Sequence, residues 1–245
     1  HRDLHLSIRR QRQMCIRDRY YGYEGAVILV SKRGHYSLRK SADVLGIGQD
    51  SLIAIDTDDR DRIDVDKLRE RCRELKARKV RIMAIVGIAG TTETGSVDPL
   101  DALSDVAKEF KAHYHVDAAW GGPTLFSHRY KSLLICIERA DSVTLDAHKQ
   151  LYVPMGCGLV VFKDPAKLKA IEHHANYVIR QGSRDLGSNT LEGSRPGMAM
   201  LVHSGLKIIA REGYEILIEQ GINKAQAFAA LIKQDDNLSL IHISE

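Results

Sequence analysis

Two kinds of hydrophobic pattern alternate along the middle of this chain. Short apolar runs, typical of buried β-strands, are separated by longer charged segments in which apolar positions recur at helical spacing. The runs that predict strands are Ala26–Ser31, Ser51–Asp56, Arg81–Ile88, His115–Asp117, Ser142–Leu145 and Gly158–Phe162. The segments that predict helices are His35–Leu45, Asp64–Ala77, one that opens at Asp98-Pro99, Ile171–Ile179, Met198–Ala210 and Tyr214–Lys233.

This alternation predicts an α/β fold with a largely parallel sheet that helices cover on both faces. In such sheets, ligand-binding groups gather at the carboxyl ends of the strands. The candidate residues at those ends are Ser31–His35, Thr91, Thr92, Asp117 and Lys149. The segment from Arg180 to Pro196 is polar and rich in Gly, and it predicts a mobile loop.

An aspartate and a lysine carry the chemistry that this pattern suggests. Asp117 ends one predicted strand, and Lys149 follows the next one, 32 positions later. Pyridoxal phosphate (PLP) enzymes need such a pair: the lysine holds the cofactor as a Schiff base, and the acid keeps its pyridine nitrogen protonated. Taken alone, Lys149 is typical of a surface turn and Asp117 of a helix N-cap.

Three further positions are candidates for the same site. The flat ring of His35 follows the first strand, Thr91 and Thr92 follow the third, and His148 precedes the lysine. The ring of His35 is suited to stacking on a cofactor ring. The threonine hydroxyls are suited to hydrogen bonding with its substituents, and His148 with its phosphate. Each also has a simpler interpretation, as a structural histidine or as turn chemistry.

Composition narrows the class of protein. Of 245 residues, 44% are hydrophobic and 28% charged, which is ordinary for a soluble globular protein, and no apolar run approaches a membrane span. The net charge of +4 comes from residues 1–19, with six Arg and two Asp, so nucleic-acid binding would depend on that segment alone. The four cysteines are scattered, which argues against disulfides and metal sites and favours the reducing cytoplasm.

The two ends do not follow the pattern of the middle. Residues 1–19 show no period, and residues 238–245 follow a polar stop at Gln234–Asn237. The pieces Met14–Arg19 and Leu238–Glu245 resemble translated sequencing-adapter read-through; the alternative is a basic disordered arm and an ordinary terminal strand. On the first interpretation these ends are non-native tails, and residues 20–237 are an internal piece of a longer product.

Taken together, the motifs resemble one family, the PLP-dependent group II amino-acid decarboxylases. The resemblance covers Tyr20 to about Lys233. Within that family, Asp146–Gly156 and Leu191–Gly197 look like a bacterial, glutamate-decarboxylase-like branch that acts on aspartate. The most specific pieces are Gly90-Thr91-Thr92, Asp98, His115–Ala119, Ala140-Asp141-Ser142 and His148-Lys149.

The resemblance implies a fold-type I PLP-dependent transferase domain and a role for each site residue. Lys149 would carry the cofactor and Asp117 would hold its pyridine nitrogen. His35 would stack on one face of the ring, with Ala119 on the other. Thr92 would lie beside the ring substituents, and His148 would lie near the phosphate with Asp146, which stands where many relatives carry Asn.

The resemblance also implies boundaries and gaps. Residues 20–212 would be a partial PLP-binding large domain, and residues 213–237 would begin a smaller C-terminal domain. The family's upstream phosphate-binding loop and most of its small domain are missing, so this chain alone is expected to lack a complete site. The family's loop tyrosine is absent from Arg180–Glu192, which leaves Tyr177 as a candidate proton donor. Arg195 is a candidate for binding a phosphate or a substrate carboxylate, with a surface salt bridge as the alternative.

The function implied is decarboxylation of a small acidic amino acid, L-aspartate to β-alanine plus CO2, by a cytoplasmic homodimer without nucleic-acid or membrane partners. Glutamate or aromatic amino-acid decarboxylation, another fold-type I PLP reaction and an inactive fragment are the alternatives. The residues alone do not separate the substrates, because part of the side-chain contacts would come from the missing N-terminal region.

Overall fold

A six-stranded sheet organises the molecule. The computed structural model describes residues 25–174, 182, 186–190, 192, 194, 196–235 and 238. The strands are β1 (Gly25–Ser31), β2 (Leu52–Ile55), β3 (Val80–Ile88), β4 (His113–Asp117), β5 (Ser142–Asp146) and β6 (Gly158–Phe162). Their order is β2-β1-β3-β4-β5-β6, and all neighbours are parallel except β5 and β6. The predicted α/β fold with a mostly parallel sheet is confirmed.

The described part of the chain contains four α-helices. Asp64 caps the second, since its side chain accepts hydrogen bonds from the backbone of Asp66 and Lys67. The sequence predicts that the third helix opens at Asp98-Pro99. Pro99 is the N-cap residue of that helix, one position before its first turn. The fourth has a non-helical break at Ala210, where the sequence predicted the end of one helix. The helices are α1 (Ser37–Val44), α2 (Val65–Ala77), α3 (Leu100–Glu109) and α4 (Met198–Ile232).

The main core lies between one face of the sheet and helices α2 and α3. Ile85 and Val116 of the sheet pack there against Leu68 of α2 and Leu103 of α3, and all four are fully buried. Burying such side chains stabilises the fold by roughly 1.5–3 kcal/mol each. The opposite face carries a smaller cluster of Val30, Val86 and Ile88, against which Leu38 of α1 packs.

A separate cluster joins the segment after β5 to α4. Tyr214 of α4 is fully buried, and its hydroxyl donates to the Leu151 carbonyl at 3.1 Å. Ala147, Val153 and Cys157 pack in the same cluster. Helix α4 therefore packs against the segment that contains Lys149.

Two predictions fall near or beyond the described residues. The helix predicted for 171–179 is wrong where it can be checked: a 3-10 helix spans Pro165–Ile171, and residues 172–174 have no helical structure. Eight of the 17 residues of the predicted loop 180–196 lie outside the described residues, and a 3-10 helix covers Leu186–Asn189 within it. Within the described ranges, no helix has both the length and the apolar character needed to cross a membrane.

Candidate active site

Strand β4 presents polar side chains on one face and apolar ones on the other. Tyr114 and Val116 are buried in the main core, whereas His113, His115 and Asp117 point to the opposite face. A parallel strand covered on both sides is normally apolar throughout. The polar face of β4 therefore indicates a functional surface, and it ends at Asp117.

The Asp117 carboxylate is oriented by the turn that follows it. The side-chain Oδ1 accepts a hydrogen bond from the backbone nitrogen of Ala119 at 3.1 Å. The backbone carbonyl of Asp117 accepts one from the backbone nitrogen of Ala89 at 2.8 Å. Among the described residues, Oδ2 has no hydrogen-bond partner. One oxygen is thus fixed by the backbone and the other is left for a ligand.

The turns after β3 and β4 touch each other at a glycine. The backbone nitrogen of Gly121 donates to the Ala89 carbonyl at 3.0 Å, and a Cβ at Gly121 would lie 2.3 Å from that oxygen. Only glycine permits so close an approach. Gly90 beside it has a φ of 97°, a left-handed conformation that also favours glycine.

Lys149 lies in the turn after β5, next to the turn after β4. The Ala119 carbonyl accepts from the backbone of Asp146 at 3.2 Å, which joins the two turns. The Lys149 Nζ lies 3.0 Å from Asp146 Oδ2, and both side chains are partly buried, 27% and 21% exposed. The structure therefore brings Asp117, Ala119, Asp146 and Lys149 together at the ends of two adjacent strands.

His148 is tied to the far side of the same turn. Its Nδ1 lies 3.2 Å from the Cys157 carbonyl, and its Nε2 lies 3.8 Å from Asp146 Oδ2. Because a carbonyl only accepts, Nδ1 carries the proton in this arrangement. Nε2 is the ring nitrogen that lies nearer to the Asp146 carboxylate.

The loop after β3 holds the two threonines in different environments. Thr91 is buried, and its hydroxyl lies 2.7 Å from the Thr94 hydroxyl and accepts from the backbone of Ser96 at 3.1 Å. Thr92 is exposed. Of the two, Thr91 serves the loop structure, and the Thr92 side chain is accessible to a ligand.

A buried aspartate fixes the start of this loop. Asp98 is 3% exposed, and its carboxylate accepts from the backbones of Ile63 and Ile88 at 2.7 and 2.8 Å. Burial raises the pKa of Asp98 to about 6, against the opposing effect of these two hydrogen bonds. In the sequence, Asp98 was marked as the opening of a helix and as part of the family resemblance.

His35 lies at the same edge of the sheet but away from the pair. It follows β1, which is two strand positions from β4, so that the two strands lie about 10 Å apart. Its Nδ1 lies 2.8 Å from the Ser37 hydroxyl and its ring 4.3 Å from the Tyr36 ring. No described contact joins His35 to Asp117 or Lys149.

Arg33 links the His35 loop to the threonine loop, and sequence reasoning missed it. Its guanidinium lies 2.7 Å from Asp61 and 2.5 Å from Glu93. These hydrogen bonds raise the pKa of Arg33. A charged residue in a turn gives no sequence signal of such a bridge. Tyr177 and Arg195, the candidate proton donor and anion ligand, lie outside the described residues.

Comparison with known proteins gives a family match over most of the chain. Residues 8–245 match the family described as "Pyridoxal-dependent decarboxylase conserved domain". The chain is 58% identical over 222 residues to an aspartate 1-decarboxylase of Aliivibrio fischeri, covering 91% of this chain and 41% of that protein. It is 34% identical over 222 residues to an L-2,4-diaminobutyrate decarboxylase of Rhizobium meliloti, covering 89% and 45%.

Solved structures show the same fold. The crystal structure of mouse CSAD in apo form superposes with a TM-score of 0.80 at 30% identity, covering 86% of this chain and 45% of that one. The chain thus spans less than half the length of these relatives. The fold-type I expectation is confirmed, and the chain belongs to the pyridoxal-dependent decarboxylase family.

Proposed function

We propose that the enzyme containing this chain uses PLP to decarboxylate a small acidic amino acid, converting L-aspartate to β-alanine and CO2. One observation carries the proposal: Asp117 and Lys149 follow adjacent strands, and their two turns are joined by the Asp146–Ala119 backbone hydrogen bond. This is the pair of groups that the cofactor needs, one at its aldehyde and one at its ring nitrogen.

The described residues fit the cofactor. Asp117 Oδ2 is available to a protonated pyridine nitrogen, because Oδ1 alone is occupied by Ala119. Ala119 presents a small side chain beside it, and Gly121 lets the neighbouring backbone approach closely. Lys149 supplies a partly exposed amine.

When bound, PLP supplies an acceptor for the electron pair that remains after CO2 leaves. The chain's own residues would do the rest. Asp117 would hold the proton at the pyridine nitrogen, since its negative charge favours the protonated ring. Lys149 would bind the cofactor covalently, yield to the substrate amine and then be free to move a proton. His35 would stack on the ring, and Thr92 would bond its substituents.

His148 and Asp146 are proposed to lie near the cofactor phosphate. In the charged form of His148, Nε2 donates to an anion while Nδ1 stays bonded to the Cys157 carbonyl. Its Nε2 also lies 3.8 Å from Asp146 Oδ2.

The choice of aspartate rests on similarity and not on a contact. The aspartate 1-decarboxylase of A. fischeri is 58% identical, whereas the diaminobutyrate decarboxylase of R. meliloti is 34% identical. An L-tyrosine decarboxylase of Enterococcus faecium is 32% identical over 248 residues. All three relatives are named as decarboxylases of amino acids, so the similarity supports decarboxylation more broadly than it supports aspartate as the substrate.

The test is an assay of the purified enzyme with PLP and, separately, L-aspartate, L-glutamate, L-2,4-diaminobutyrate and L-DOPA, measuring CO2 and amine. β-Alanine from aspartate supports the proposal. Turnover of another amino acid keeps the reaction and rejects the substrate. Lys149→Ala should abolish the visible absorption of lysine-bound PLP, whereas Lys108→Ala on α3 should not. Unchanged absorption in Lys149→Ala would remove Lys149 from its role.

We further propose that the enzyme is a cytoplasmic homodimer, with residues 20–212 in the large domain and 213–237 at the start of a second one. Large apolar side chains of α4 are exposed, among them Met200, Ile208 and Phe228. Their exposure supports burial against a further surface, from either the partner subunit or the parts of the relatives that this chain does not span.

A further inference from the structure

A row of hydrogen-bonded side chains runs along the polar face of β4 and β5 towards Asp117. The Ser142 hydroxyl lies 2.7 Å from His113 Nε2 and 2.8 Å from His115 Nδ1. The other nitrogen of His115, Nε2, lies 3.2 Å from the Thr144 hydroxyl. Both ring nitrogens of His115 are therefore satisfied by neutral hydroxyl groups.

The row ends beside the candidate site. His115 and Asp117 are two residues apart on one strand and point to the same face. On the neighbouring strand, Ser142 pairs in register with His115, and Thr144 pairs with Asp117. The imidazole and the Thr144 side chain therefore lie at neighbouring positions to Asp117, one on its own strand and one on the adjacent strand.

The far end of the row reaches charged groups. Lys167 Nζ lies 3.1 Å from Asp141 Oδ1 and 3.4 Å from His113 Nδ1. Asp141 Oδ2 lies 3.8 Å from His113 Nδ1. His113 therefore meets this ion pair, and His115 faces Asp117.

Electrostatics favours a neutral ring at His115. Burial lowers its pKa, and this outweighs the opposite effect of the Asp117 charge. An imidazolium there would compete with a pyridine nitrogen for the same carboxylate. A neutral ring leaves the negative charge of Asp117 for the cofactor.

We propose that His115 is a positioning residue on the Asp117 face of β4: a neutral ring, seated between the Ser142 and Thr144 hydroxyls, that keeps a positive charge away from the Asp117 carboxylate. This inference rests on the proposed function, since it assigns His115 a role towards the bound cofactor. It predicts that neutrality and hydrogen bonding at this position matter together.

The test compares variants of the PLP-loaded enzyme. His115→Gln keeps a neutral hydrogen-bonding group, and we expect its PLP dissociation constant and kcat to stay within about threefold of wild type. His115→Lys places a cation beside Asp117. Because position 115 is only two residues from Asp117 on the same strand face, that charge should weaken PLP binding and lower kcat about tenfold or more. His113→Lys is the matched control, because it adds the same charge at the other end of the row.

Three measurements separate the outcomes: the PLP dissociation constant, the visible absorption of bound PLP as a function of pH, and the thermal midpoint. A loss specific to His115→Lys, with the thermal midpoint of His115→Gln retained, supports the role. Equal behaviour of His115→Lys and His113→Lys, or of His115→Lys and wild type, overturns it. Absence of visible absorption in the wild-type protein overturns the proposed function itself, and this inference with it.

Discussion

Lys149 Nζ lies 3.0 Å from Asp146 Oδ2, an ion pair closed within the turn that follows β5. The backbone nitrogen of Lys149 also donates to the Asp146 carbonyl at 3.2 Å, so that both the backbone and the side chain of Lys149 bind the same residue. A partly exposed pair of this kind is worth only about 0–1 kcal/mol. It is strong enough to place the amine and weak enough to release it when the cofactor binds.

Asp146→Asn should therefore accelerate covalent attachment of PLP. The amine must leave this ion pair before it attacks an aldehyde, and an amide at position 146 holds it less strongly. We expect the visible absorption of bound PLP to grow a few-fold faster at neutral pH, within the about 1 kcal/mol that such a pair contributes. Asp105→Asn, which breaks a surface pair with Arg139, is the control. Slower attachment would mean that Asp146 chiefly positions the lysine.

Asp117→Asn should separate binding from turnover. An amide keeps the shape of the side chain and can still accept from Ala119, but it has no charge with which to keep the pyridine nitrogen protonated. We expect PLP to bind while kcat falls at least about a hundredfold, as when other preorganised electrostatic groups are removed. Steady-state kinetics and the absorption spectrum measure the two effects. Normal turnover would exclude Asp117 from the mechanism.

Gly121→Ala should damage both the fold and the site. The added Cβ would lie 2.3 Å from the Ala89 carbonyl oxygen, a backbone atom, so the clash is relieved only if one of the two turns shifts. Overpacking of this kind costs about 1–3 kcal/mol, and it would displace the backbone that bonds to Asp117. Gly25→Ala is the control, since a Cβ there meets no atom within 4 Å. Urea unfolding of the two variants checks the difference; equal midpoints would contradict it.

Asp98→Asn should destabilise the protein by on the order of 1–3 kcal/mol, because an amide cannot accept from both Ile63 and Ile88, and its own NH2 would face one of those donors. Asp101→Asn, on the exposed side of α3, is the control and should change stability little. Denaturant unfolding at pH 7 measures both variants. Equal stability of Asp98→Asn and wild type would mean that the two backbone groups find other partners.

The pH dependence of that difference has a definite sign. The folded pKa of Asp98, about 6, lies above its ordinary value of 3.8. Its titration therefore contributes stability that is fully present below about pH 4 and lost as the pH rises through 6. Asn does not titrate, so the advantage of wild type over Asp98→Asn should be larger at pH 4.5 than at pH 7. A smaller advantage at the lower pH would contradict the raised pKa.

The sequence predicted the strands well because they are apolar and buried. Leu29 and Ile85 lie in runs whose hydrophobic character leaves little choice, and Asp64 announces the start of α2 through its capping chemistry. The helix predicted after Ile171 failed because helical spacing of apolar residues does not show whether a core exists to bury them. There, Ile171 itself is half exposed.

The sequence predicted only part of the candidate site. Asp117 and Lys149 stand out because each follows a strand, and parallel strands align their ends. Contacts between loops leave no such trace: nothing near Arg33 foretells Glu93, and nothing near Gly121 foretells the Ala89 carbonyl. The alternation His-Tyr-His-Val-Asp was a usable signal for His115, because a strand in this position is otherwise apolar throughout.

That alternation has a consequence for how such an enzyme can change over evolutionary time. On β4, the residues that hold the core together and those that face the chemistry occupy separate faces, Tyr114 and Val116 on one and His115 and Asp117 on the other. A substitution on one face leaves the contacts of the other in place. Reactivity can drift at the polar positions while the packed positions stay under purifying selection, so that a new specificity need not first survive a loss of stability.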